Sequence, residues 1–535
     1  MLVQPTNIII SQARYIKSVA DAANSSGNLP ITEVCSLLDG IKKLTNITIN
    51  LTTTIETLNE ATESSVVIHL KSLGSQRAAI LFERPTPIQE LFSHFDKKIR
   101  NIIREVLSNT SDQNMLWKVA EECYRQAASP SGILHADDYF IPLEEACLQW
   151  PYDPDFESEE YYEHENRLDV DEDYATIFQE RTERKDQACR KDRQNWIDFW
   201  IRVLNNSPAG PTLFYPPATF HTQSLKFDDV PQYLFRTFDG NSSGKNDESV
   251  IASIASIVGP QASTRIDLLA LEKHNAAELL HMHLTKDCFS GEVSDNLMSW
   301  TSSLLFAIQY AVWRLRRRRC RPSDIKICAV DTTKFPQGQF ARDTWLFKAC
   351  KSTTRQEDPA QQFFKFRLED ERFYNGEYLS QGVVNHTNRS CVVSLEHVVE
   401  AGLFQLYPEF DDAKGSEKWA YRVLELRQNW SAEQRTTDRE IQLALQVGRN
   451  CFSQFPPFDI ASIFLTFKNR KHSRRIPINT PSHSSKQRPE WADKPDEVRR
   501  YWTATEAASS CNKFPHVRIS HFRRQPQDML REVFD

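Results

Sequence analysis

Three short stretches place charged or hydroxyl side chains inside runs that are otherwise aromatic and aliphatic. Arg236 closes Tyr233-Leu234-Phe235-Arg236, Glu377 sits in Gly376-Glu377-Tyr378-Leu379, and between them Thr301, Ser302 and Ser303 follow Ser299-Trp300 and precede Leu304-Leu305-Phe306-Ala307. A charge within a strand-like run is expensive unless it is paired or used. The residues by themselves leave two readings open. In one, Arg236 and Glu377 form an ion pair between strands while the hydroxyls cap the helix that follows. In the other, a cation, a row of alcohols and an anion face a ligand.

Other chemistry-bearing clusters carry less. His281 and His283 with Cys288 have the residue types of a zinc site, but positions i and i+2 on a helix diverge, so two ligands there would point apart. Carboxylates crowd the chain from Asp137 to Asp173, without the Asp-x-Asp-x-Asp-Gly spacing of a calcium loop, and read as a solvated, self-repelling stretch. Arg316, Arg317, Arg318, Arg319 and Arg321 before Pro322 complement a helix C-terminus, with nuclear targeting or phosphate binding as the alternative.

The elements that must position these groups follow from periodicity and breakers. Residues 1–128 alternate helical apolar spacing (Ile8, Ile9, Ala13, Ile16; Val34, Leu37, Leu38, Ile41, Leu44) with Ser, Asn and Gly breaks, and read as a helical N-terminal domain that packs on itself. Residues 129–228 read as an acidic and Pro-rich linker with a helix around Trp196 and Trp200, closed by Pro208, Pro211, Pro216 and Pro217. A second core spans 229–405: a strand at Tyr233–Phe238 ended by the turn Asp239-Gly240-Asn241, helix candidates at 262–283, and a helix after Ser303. A buried strand at Ile325–Val330, a strand around Glu377 and a helix over Val392–Leu403 complete it. Residues 406–467 read as accessory helices, through Trp419–Trp430 and Glu440–Leu465. Residues 468–535 read as a disordered basic and polar tail.

A chain of 535 residues exceeds one core, and 40% hydrophobic residues with a mean hydropathy of -0.53 describe folded centres with solvated arms. A net charge of -7 argues against a surface built for nucleic acid. No apolar run approaches the ~20 residues of a membrane span and no secretory leader opens the chain, so an intracellular, cytoplasmic or nuclear protein is expected. The 11 cysteines stand singly, with no CxxC, and are expected as reduced thiols.

Arg236 on a first strand, Thr301-Ser302-Ser303 opening a helix after a tryptophan, and Glu377 on a later strand resemble the Arg, Ser-Thr-Ser and Glu triad of ADP-ribosyltransferases of the cholera-toxin type. The stretch 229–405 also resembles an uncharacterised domain family of filamentous fungi, through Leu-Phe-Arg-Thr, Ser-Trp-Thr-Ser-Ser-Leu-Leu-Phe-Ala and Gly-Glu-Tyr-Leu-Ser-Gln-Gly. The transferase resemblance implies an α+β fold with a split β-sheet core, flanked here by the N-terminal helices, the C-terminal accessory helices and the tail. It implies NAD as a substrate and ADP-ribose transfer to a protein acceptor or NAD hydrolysis. An inactive interaction or scaffold protein, with a partner on the N-terminal helices, is the alternative. Arg236, with Thr237 beside it, would hold the phosphates through its planar fork. Thr301, Ser302 and Ser303 would brace the ribose pocket, and Glu377 would stabilise the oxocarbenium-like charge as nicotinamide leaves. Two departures matter: the first hydroxyl is Thr301 where the family has Ser, and Asn375 stands where arginine-modifying members carry Glu or Gln. Asparagine cannot act as a base, so NAD hydrolysis or an inactive domain gains over arginine modification.

Overall fold

The computed structural model describes residues 10–11, 13–18, 21, 31–75, 86–109, 115–139, 166–215, 230–258, 266–285, 295–318, 320–350, 359–412, 419–471, 495–511 and 525–534. Ile8, Ile9, Cys288, Pro216, Pro217, Arg319 and the carboxylates between 140 and 165 lie outside them. The chain divides into two compact units, Met1–Val203 and Leu204–Asp535.

The first unit is helical, with α1 (Ile31–Ser75), α2 (Thr86–His94), α3 (Asp96–Asn109), α4 (Met115–Ala128) and α5 (Glu172–Asn206). Its core is aromatic. Trp196 and Trp200, one turn apart on α5, pack with Phe199 against Phe92 and Phe95, and the Trp196 indole donates to the carbonyl of Leu134 at 3.0 Å. Contrary to the expected breaks, α1 runs unbroken through Gly40. Within it Thr45, Thr48, Thr52 and Thr53 each donate their hydroxyl to the carbonyl four residues back, so these polar side chains are satisfied inside the helix. Self-packing fails along part of it, because Leu38, Ile41, Ile49, Ile55 and Leu58 are exposed.

The second unit is α+β. Its elements are β1 (Tyr233–Phe238), β2 (Lys245–Asn246), β3 (Val250–Ala252), α6 (Lys273–Thr285), β4 (Leu297–Thr301), α7 (Leu304–Arg318), β5 (Lys326–Asp331), β6 (Ala341–Arg342), α8 (Asp343–Cys350), α9 (Pro359–Glu369), β7 (Glu377–Gln381), β8 (Val383–Asn385), β9 (Ser390–Ser394), α10 (Trp419–Asn429), α11 (Asp438–Cys451), α12 (Pro457–Leu465), α13 (Asp496–Cys511) and α14 (Pro526–Phe534). An antiparallel sheet runs β6-β7-β4-β1-β5-β9, and a smaller one runs β2-β3-β8. Strand β5 is an uninterrupted apolar run because both its faces are covered, Ile327 and Ala329 on one and Cys328 and Val330 on the other. The two sheets meet through Leu234, Trp300 and Tyr378 of the large one and Ile251 and Val384 of the small one.

On the opposite face the helices form two groups. Over β1, β5 and β9, helix α7 joins α11, α12 and α14 in one core with Phe235, Leu305, Ile308, Leu445, Phe464 and Phe534. Over β4 and β7, helices α6, α8 and α9 pack through Leu280, Leu346 and Phe364 on Leu297 and Leu379. The accessory helices after residue 405 therefore share the core of the central domain. Two further expectations are corrected. Val392 and Val393, read as helix, belong to β9, where β-branched side chains extend the sheet against β5. In the expected tail, 472–494 and 512–524 lie outside the described residues, while α13 and α14 are helices, because Val498, Ala504, Leu530, Val533 and Phe534 are apolar at helical spacing and buried. Among the described residues no helix is long and apolar enough to cross a membrane, and no disulfide joins the described cysteines.

Candidate functional site

The large sheet opens at its middle. Strand β4 pairs along its length with β7, from Leu297 opposite Gln381 to Thr301 opposite Glu377. It meets β1 at Phe235 opposite Thr301 and, among the described residues, no further. The two helix groups also part above this line. Between them lies a cavity of about 430 Å³, within the range of small-molecule sites. Its walls carry Phe306 and Tyr310 from α7, Phe363 and Phe366 from α9, and Trp419 from α10, and its floor carries Arg236, Ser299, Thr301 and Glu377.

The register puts Phe235, not Arg236, in line with Thr301 and Glu377. Alternation sends Arg236 toward the small sheet, and it reaches the cavity because the strands part beside it. Its Nη1 donates to the Ser299 carbonyl at 2.8 Å and its Nε to Asn246 Oδ1 at 3.2 Å. Among the described residues it pairs with no carboxylate, and burial pushes its guanidinium down to about 10. Two of its five N–H groups are thus committed to the fold, and the full fork expected from the sequence is not free. Thr237, also on the wall, donates to the carbonyl of Ala307 at 2.8 Å and fastens β1 to α7.

Glu377 faces Arg367, not Arg236. The Arg367 guanidinium on α9 donates to Glu377 Oε2 at 3.0 Å and to Asp343 Oδ2 at 2.6 Å. Burial alone would lower Arg367, but the two carboxylates outweigh it and raise it; burial pushes the Asp343 carboxyl up. The interstrand Arg236–Glu377 pair that the residues allowed is therefore absent among the described residues. Thr301 Oγ1 donates to the Asn375 carbonyl at 2.6 Å and so holds the chain just before Glu377. Asn375 lines the cavity with its side chain engaged, its amide oxygen accepting from Arg427 at 3.1 Å. Gly376 between them has φ +66°, and a Cβ there would lie 2.0 Å from Ser302 Oγ, so only glycine fits.

Ser302 and Ser303 are not brought to this cavity. Ser303 caps α7, accepting from the Phe306 amide at 3.0 Å, and donates to Glu497 of α13 at 2.5 Å. Ser302 lines a second cavity of about 310 Å³ with Tyr233, Asp459 and Tyr501, and its buried hydroxyl has no partner among the described residues.

Sequence reasoning missed a group that the fold assembles here. His283, at the end of α6, is buried; its Nδ1 lies 2.9 Å from both oxygens of Asp295, and its Nε2 lies 2.9 Å from Ser299 Oγ. All three residues line the cavity. The zinc reading drew attention to His283 but paired it with the wrong residues. His281 instead stands edge-on to Phe363. No cluster of metal-binding side chains occurs among the described residues. Ser299, two residues before Thr301 on β4, was visible as a second hydroxyl on the same strand face.

Residues 229–394 match the family model of a domain of unknown function (DUF7587), a span that contains every residue named here on the first cavity except Trp419. No curated protein and no solved structure matches the chain.

Proposed function

We propose that the cavity binds NAD and that the protein cleaves or transfers its ADP-ribosyl group, with hydrolysis favoured over transfer to arginine. The observation that carries this reading is the meeting of Arg236, Thr301 and Glu377 on one aromatic-walled cavity at the opening of the sheet. The aromatic rings offer flat apolar surfaces for adenine or nicotinamide. The free N–H groups of Arg236 offer a fixed positive charge for a phosphate oxygen. Glu377, steadied by Arg367, offers negative charge where an oxocarbenium ion develops. The engaged amide of Asn375 supports water over an arginine side chain as acceptor, since nothing at that position removes a proton. The kinship with fungal proteins read from the motifs belongs to this proposal too.

The test is calorimetry with NAD on the full-length protein, together with nicotinamide release. Glu377→Gln should bind NAD nearly as wild type and release nicotinamide at least ~100-fold more slowly. Equal rates in the two proteins, or no heat of binding, would remove the reading.

A further inference from the structure

We infer that Ser299 is a base-activated nucleophile and that the cavity carries an acyl-transfer activity toward carboxylic esters with apolar or aromatic acyl groups. The inference does not rest on nucleotide binding. Three side chains from separate elements are aligned in the order that nucleophilic catalysis needs: hydroxyl, imidazole, carboxylate. Asp295, just ahead of β4, has a side chain 2% exposed, and that of His283 is 3% exposed. With Nδ1 between two carboxylate oxygens at 2.9 Å, the neutral imidazole carries its proton on Nδ1 and donates it to Asp295. Nε2 is then the lone pair, and at 2.9 Å it accepts the Ser299 hydroxyl proton. Packing alone would be served by any satisfied partner for a buried histidine. Here the partner, Ser299, is a cavity-lining residue.

The surroundings supply the rest. Arg236 Nη1 is bonded to the main-chain carbonyl of Ser299, so a fixed cation braces the backbone that carries the nucleophile. The walls of Phe363, Phe366 and Trp419 suit an apolar acyl chain better than a peptide. In the first half-reaction Ser299 Oγ bonds to the ester carbonyl carbon while its proton passes to His283 Nε2. The bond to the alkoxy oxygen then breaks, and that oxygen leaves as the alcohol with the proton from His283. Water then bonds to the acyl carbonyl carbon as its proton passes to His283 Nε2, and the bond from that carbon to Ser299 Oγ breaks as His283 returns the proton to Oγ, giving the carboxylic acid and free Ser299. Asp295 holds the imidazole and is a positioning residue.

The test uses the full-length protein and a fluorophosphonate probe, followed by intact mass and peptide mapping, with p-nitrophenyl butyrate turnover alongside. One phosphonyl adduct is expected on Ser299, absent in Ser299→Ala. In His283→Gln labelling should slow by about 100- to 10,000-fold. In Asp295→Asn the maximal labelling rate should fall while the half-saturating probe concentration stays. A wild-type protein that remains unlabelled, or a Ser299→Ala protein that labels equally fast, overturns the proposal. Because no nucleotide is present, neither result bears on NAD binding.

Discussion

Arg367 is the residue on which the carboxylate side of the cavity depends. It stands between Asp343, fully buried, and Glu377, and one guanidinium is bonded to both. Replacing it with Met keeps the stem that packs by Phe347 and Phe363 but removes the cation bonded to both carboxylates. Arg367→Met should cost about 3–5 kcal/mol in urea unfolding, since breaking a buried pair leaves uncompensated charge. A loss under about 1 kcal/mol would mean that Asp343 is already neutral. Glu497 repeats the logic elsewhere. Burial pushes its carboxyl up, but Arg427 at 2.8 Å and Ser303 outweigh that and hold it below its ordinary value. A depressed carboxyl stabilises the fold above its unfolded value of 4.5, and that contribution is lost as pH falls through the folded one. Glu497→Gln should therefore be less stable than wild type at pH 7, and the gap should close in acid. A gap that does not change with pH would show that the side chain acts through packing alone.

At the scale of elements, the turn before α6 is pinned to the sheet through a buried carboxylate. Asp267 accepts from the amides of Tyr215 and Leu269 and from Gln381 Nε2 of β7, with no cation in the set, and Gln381 Oε1 accepts from Leu268 N. Burial raises the Asp267 carboxyl to about 6 despite those donors. A raised carboxyl stabilises fully below its unfolded value, and the benefit is lost as pH rises toward 6. This side chain should remove about 2 kcal/mol of stability between pH 4 and 6, the slope approaching ~1.4 kcal/mol per unit in the middle of the window. Asp267→Asn should flatten the curve over that window, measured by thermal melting against pH, and an unchanged slope would assign it to another group. The same region shows why the elements around the site were harder to place than those of the core. Helix α6 and β4 are ordinary in composition, and neither announces that Asp295, on the way from one to the other, will meet the last turn of α6 at His283.

For the whole molecule, the C-terminal helices belong to the central core of the second unit, which limits what can be removed. Leu530, Val533 and Phe534 of α14 are buried in the same cluster as Phe235 and Leu305, the layer over β1. Burial of each such side chain is worth about 1.5–3 kcal/mol. A chain ending at residue 524 should therefore lose about 5 kcal/mol or more, seen as a lowered urea midpoint. An unchanged midpoint would show α14 to be dispensable. For the same reason, the 229–394 span of the family match does not hold a complete core, since α11, α12 and α14 close its helical face.

The α+β class, the strand around Arg236, the helix capped at Ser303, the buried β5 run and the helices through Trp419 and Glu440 could be read from the chain, because each rests on local periodicity or on a turn or cap residue. The amphipathic ends of the molecule were legible in type but not in role: apolar spacing marks a helix, yet does not say whether a partner face exists, as exposed Leu38 and buried Phe534 show from opposite sides. What tertiary structure alone decided is who meets whom. The parity of β1 relative to β4, the separation of those strands after one pair, the claim of Arg367 on Glu377 and the alignment of Ser299, His283 and Asp295 all depend on register and crossing of distant segments. Side-chain spacing within a segment carries no information about those contacts, because they are set by which surfaces the separate elements bury together.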